Sequence, residues 1–256
     1  MQHTFTLAAW NFRLARRSLL ALWGVFAAQQ AAVILWRAAQ PGAAGLGLAS
    51  HYYATMQIFV YLGFYLLTAL AAGAATHNSR RARSGYTWAT LPGTPGQKLA
   101  AKAITIAAAE LVFAAWQFVW YIVEFYPVTA LEGWRRRQMY GAVLPAANLY
   151  EQVVTNNLFA RLLPRRPAQI VILLGILALS AAMLAALDTV RGWRKLPVFA
   201  SGLFCAWVCF GIVSIEQHLE WLLDEPRYAL RIAAAAVLAV LTVWWAVRSI
   251  RRGEAV

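Results

Sequence analysis

The sequence predicts an all-α polytopic membrane protein: six transmembrane helices, with an N-terminal amphipathic helix in the membrane plane. Three observations point there. Of 256 residues, 61% are hydrophobic and only 13% are charged, whereas soluble domains average about 45–50% apolar and about 25% charged. A soluble chain of that composition would expose large apolar patches and aggregate. The apolar residues gather into runs close to the roughly 20 residues that cross a bilayer as a helix. Finally, the basic residues sit in short clusters flanking those runs, the pattern of loops that face anionic lipid.

The elements follow in chain order. In residues 4–17, Leu7, Trp10 and Leu14 fall at helical spacing beside Arg13, Arg16 and Arg17, while Phe5 and Phe12 occupy another face. The stretch reads as an in-plane helix, with a plain basic flank as the alternative. The first span, residues 18–36, has full membrane length and no small-residue cleavage site behind it, so it reads as a retained helix and not a leader. Further spans are expected at residues 53–75, 104–125, 168–187, 196–215 and 229–247. Cys205 and Cys209 share one face of the fifth span and read as apolar packing residues, since a metal would need more ligands nearby. With no internal repeat and no polar segment of soluble-domain size, residues 1–256 read as a single membrane domain.

The formal net charge is +13, with an isoelectric point near 10.4. No basic, aromatic-interleaved soluble domain accompanies that charge, so nucleic acid is not expected as a partner; the lipid bilayer is. With both termini cytoplasmic, most of the 23 basic residues fall inside: Arg13, Arg16 and Arg17; Arg80, Arg81, Arg83, Lys98 and Lys102; Arg191, Arg194 and Lys195; Arg248, Arg251 and Arg252. Glu216, Glu220, Asp224 and Glu225 fall in one outer loop. The connection 126–167 opposes the pattern: external by this topology, it carries Arg135, Arg136, Arg137, Arg161, Arg165 and Arg166. It reads as an external subdomain or interfacial hairpin. The alternative is a seventh span near residues 140–159, which would bring Asn148, Glu151, Gln152, Asn156 and Asn157 into lipid at high cost.

The most informative segment is the cytoplasmic connection 76–102. Pro92, Gly93, Pro95 and Gly96 interrupt any long helix there, and a new helix can start near Gln97 and run into the third span. A short, rigid, partly apolar element between two spans suits docking of a partner protein, through Tyr86, Trp88, Leu91, Pro92, Thr94, Gln97 and Lys98. The order Thr90-Leu91-Pro92-Gly93-Thr94, then Gln97, then Lys102 ten residues after the proline, resembles the permease subunits of ABC-2 type ABC transporters. There a Thr-Leu-Pro-x-Ser/Thr element follows the second span and a lysine opens the third. Pro95 and Gly96 depart from that pattern, where basic or polar residues are common. The resemblance extends to chain length, span number and the amphipathic start, and to the small permeases of peptide-antibiotic immunity and export.

The resemblance implies half of a membrane domain, completed as a homodimer or as a heterodimer with a related permease. It implies a separate cytoplasmic ATP-binding cassette subunit that docks on this loop and binds ATP and Mg. No cofactor is expected in the chain itself: Gly93 to Lys98 has the wrong spacing for a phosphate-binding loop. The expected function is export of an amphipathic or hydrophobic substrate (peptide, lipid or drug) across the cell membrane. The alternatives are a non-transport membrane scaffold and an intramembrane enzyme. The enzyme is disfavoured because Ser201 has no histidine in the sixth span as its base.

Other polar residues at membrane depth stand out. Glu110 in the third span reads either as a substrate-path or gating residue or as a structural hydrogen-bonding group, with Gln57 or Gln117 as its partner. Gln29, Gln30 and Gln57 read as interhelical bonds or as path lining. Tryptophans near span ends read as interfacial belts. Glu216, His218 and Glu220 are a weak metal set, better read as a solvated acidic turn; residues 215–223 suit a short re-entrant helix.

Overall fold

A computed structural model describes residues 2–40, 42, 46–74, 90–141, 148–156, 158–159, 167–190, 193, 195–214 and 226–252. Among the described residues the chain is all-helical, with α1 (Gln2–Ala38), α2 (Leu48–Ala54), α3 (Gln57–Ala74), α4 (Pro95–Tyr140), α5 (Leu149–Thr155), α6 (Pro167–Thr189), α7 (Lys195–Ser214) and α8 (Pro226–Arg251). Four of these contain stretches long and apolar enough to cross a membrane: His3–Ala38, Gln57–Ala74, Pro95–Tyr140 and Ala233–Arg251. The expected spans 168–187 and 196–215 fall on α6 and α7. Their apolar stretches among the described residues, Leu173–Thr189 and Lys195–Cys205, are shorter than a span.

Three boundaries differ from expectation, each for a local reason. The in-plane segment and the first span are one continuous helix of 37 residues, about 55 Å long against a hydrocarbon core of about 30 Å. No glycine or proline precedes Gly24 to break it. Its inward face is also rotated: Leu7, Ala8, Asn11 and Ala15 are buried, while Leu14 is exposed. The second expected span starts late because Met56, at φ +52°, breaks the chain between α2 and α3; a β-branched or bulky side chain rarely adopts that conformation. The third does not end near Phe125. α4 runs on through Pro127 to Tyr140, so the first part of the expected external loop 126–167 is helix. Further along that connection α5 has only seven residues, about 10 Å and too short to cross a bilayer.

The chain divides into two compact units. The first comprises Met1–Arg17, Ala69–Glu110 and Val171–Val256. Its core joins α6, α7 and α8 through Met183, Cys205, Val208 and Ala235. Cys205 is thus a packing residue, its Sγ lying 3.6 Å from the Ala235 carbonyl. A smaller cluster packs Leu7 and Ala8 of α1 against Ala101, with Leu91 and Ile104 alongside.

The second unit comprises Ser18–Thr68 and Leu111–Ile170. Its centre is an aromatic layer in which Phe26, Tyr61 and Phe113 are almost wholly buried. Tyr61 and Phe113 stack at 5.3 Å, and Phe26 meets Phe113 edge-on at 5.1 Å. These are the offset and edge-to-face geometries that the ring quadrupoles favour. Trp23 joins the layer and donates to Thr68 Oγ1 at 3.2 Å.

Candidate functional site

In the first unit the Thr90–Lys102 segment folds around the start of α4. Thr94 Oγ1 accepts from the Gln97 N–H at 3.3 Å, while Gln97 Oε1 accepts from the Thr94 N–H at 2.9 Å. This reciprocal capping box satisfies two donors that a helix start leaves open. Pro95 occupies the first helical position, where its missing N–H costs nothing and its fixed φ fits. The proline that departs from the family pattern is therefore well suited to opening this helix. Gly93 sits at φ +148°, a conformation that favours glycine.

The turn is anchored on one side and open on the other. Leu91 packs on the cluster formed by Leu7, Ala8 and Ala101. Pro92, Gly93, Thr94 and Gly96 are exposed. Lys98, on the first turn of α4, is 7% exposed. Tyr86 and Trp88 lie outside the described residues, as do Glu216, His218, Glu220 and the re-entrant segment 215–223.

Lys102, the lysine of the resemblance, is buried and forms an ion pair with Asp188 of α6. Two turns further along α4, Glu110 is buried and accepts from Ser180 Oγ at 3.3 Å. Ser180 lies two turns before Asp188, so the pairs form two rungs between antiparallel helices. Between them Thr105 Oγ1 donates to the Ala101 carbonyl at 2.9 Å and to that of Ala8 at 3.2 Å. Gly73 of α3 lies beside the Asp188 carboxylate, and a Cβ there would meet Asp188 Cγ at 3.5 Å, an ordinary contact distance.

The second unit holds a buried polar cluster of its own. Glu132, 3% exposed, accepts from the Gly47 N–H at 3.1 Å and pairs with His51 Nε2 at 2.6 Å. Arg136 reaches its other oxygen at 3.4 Å. Tyr52 OH donates to Glu124 Oε2 at 2.6 Å and accepts from Gln117 Nε2 at 3.4 Å. Gln152 ties α5 to the rest, accepting from the Ala49 N–H at its side chain and from Tyr121 OH at its carbonyl, both at 2.9 Å. Each bond spares a buried group a desolvation cost of about 1–3 kcal/mol, so the cluster holds α2, the far part of α4 and α5 together.

Of the path or gating candidates, Glu110 bonds Ser180, while Gln117, one of its expected partners, is engaged with Tyr52. Gln29 is half-buried. Gln57 is fully buried, and neither amide atom has a hydrogen-bond partner among the described residues. Sequence reasoning missed Asp188, Ser180, His51 and Glu132, and weighed Gln152 only as a residue costly to place in lipid. The available signals were Asp188 as the carboxylate ending an apolar run and His51 as a lone imidazole beside one. Ser201 Oγ donates to the Pro197 carbonyl one turn back at 2.7 Å, an ordinary helix back-bond. Among the described residues no group of three or more His, Cys, Asp or Glu side chains is placed to hold a metal ion. The chain matches no protein-family model, no curated protein and no solved structure.

Proposed function

We propose that this chain is the membrane-spanning permease subunit of an ABC-2 type ATP-binding cassette transporter in the cell membrane, with six spans and both termini cytoplasmic. It exports an amphipathic or hydrophobic substrate (peptide, lipid or drug) and pairs with a second permease copy or a related chain. A separate ATPase subunit binds ATP and Mg.

The observation that carries the reading is the capped turn from Thr90 to Gln97. Its apex at Pro92, Gly93 and Thr94 is exposed, its base is fixed by Leu91, and it leads into an apolar helix of membrane length. An ATPase docked on that apex would push on the start of α4. A capped helix start transmits such a push because its first turn does not fray. Within the same unit the push reaches α1 through Leu91 and Leu7, and α6 through Lys102 and Asp188.

A photoreactive residue at position 92 tests the docking assignment in native membranes. The reading predicts a crosslink to an ATP-binding cassette subunit from position 92 and none from position 240 on α8. Labelling of lipid alone at position 92 would refute it.

A further inference from the structure

The first unit carries a half-open groove of about 310 Å³, of whose lining the transport reading uses Asp188 alone. Leu184 and Leu187 of α6 and Leu196 and Phe199 of α7 form its apolar wall, and Asp188 and Lys195 lie at its polar end. Leu196 and Phe199 are 56% and 52% exposed, so the wall is open to the surroundings of the helices. The charges at the polar end are unequal. The Asp188 carboxylate is engaged by Lys102, whereas Lys195 is exposed at the rim. Lys195 also closes a basic run in sequence, after Arg191 and Arg194. Trp193, two residues before the groove begins, is 87% exposed, a residue type that settles at headgroup level.

We infer that this groove is a binding site for an anionic glycerophospholipid, with an acyl chain along Leu184, Leu187, Leu196 and Phe199 and the phosphate at Lys195. Charge complementarity selects this occupant. An apolar trough ending in a cation matches an acyl chain ending in a phosphate, and the one acid present is already neutralised within the fold. A zwitterionic lipid would fill the trough and offer the same phosphate, but without net negative charge its attraction to Lys195 is weaker.

The test is native mass spectrometry of the full chain in neutral detergent, titrated with phosphatidylglycerol and with phosphatidylcholine of the same acyl chains. Preferential retention of phosphatidylglycerol is expected. Lys195→Gln should lower that preference about fivefold, the factor that about 1 kcal/mol per basic residue at a membrane surface represents. The exposed Arg251→Gln on α8 should leave it unchanged. Leu184→Trp, which fills the trough, should reduce retention of both lipids. Equal retention of the two lipids by the unaltered chain, an unchanged preference in Lys195→Gln, or an equal loss in Arg251→Gln would overturn the site.

Discussion

Removing the carboxylate of Asp188 should strongly destabilise the first unit. The Lys102 side chain is 3% exposed and that of Asp188 16%, so the ammonium cannot recover full hydration by a change of rotamer. Taking one partner from a buried ion pair costs about 3–5 kcal/mol, because the remaining charge stays desolvated. For a chain of this size each kcal/mol lowers the melting temperature by about 2–4 °C. Asp188→Ala should therefore lower it by about 6–20 °C. The assay is fluorescence-detected size exclusion after heating in mild detergent. The double variant Lys102→Met with Asp188→Leu should recover most of the loss, since replacing both charges with apolar groups of similar volume is often neutral. A single variant that melts within about 2 °C of the parent would refute the argument, as would a double variant that melts lower than either single one.

Three other perturbations follow from the geometry. Thr94→Ala removes one half of the capping box and should cost about 0.5–2 kcal/mol, read as faster hydrogen exchange confined to the first turn of α4. Glu132→Ala strands the Gly47 amide and His51, so exchange at Gly47 should rise roughly 5- to 150-fold, the range that about 1–3 kcal/mol per stranded group represents; Glu132→Gln, which keeps an acceptor oxygen, should show much less. Phe113→Ala empties the centre of the aromatic layer and should cost about 3–5 kcal/mol, measured by thermal melting, with the folded secondary structure retained at low temperature.

The parts legible in the sequence were those written in local pattern. The apolar runs at residues 18–36, 104–125 and 229–247 predicted membrane-length helices, and α1, α4 and α8 cover them. The breaker cluster at Pro92 and Gly93 predicted an interruption before α4, and the helix begins at Pro95. The positions of the helix ends were less legible, because charged residues do not mark them. Arg13, Arg16 and Arg17 left an in-plane helix and a plain basic flank both open, and they lie exposed along one unbroken helix. Arg135, Arg136 and Arg137 were placed in a connection after the third span, and α4 continues through them, because a basic side chain does not interrupt a helix that its neighbours favour. The buried pairs were illegible for a different reason. Lys102 meets Asp188 across 86 positions and His51 meets Glu132 across 81. No spacing rule spans such distances, because the partner is chosen by how the helices pack.

The claim that this chain is one part of an ATP-driven transporter is tested most directly by what comes with it out of its native membrane. The tagged chain is extracted in mild detergent and its companions are identified and quantified. The account predicts an ATP-binding cassette subunit in stoichiometric amount, released by substitutions at Pro92 and Thr94 that leave the chain monodisperse. An intact, monodisperse chain that emerges with no ATPase would contradict it.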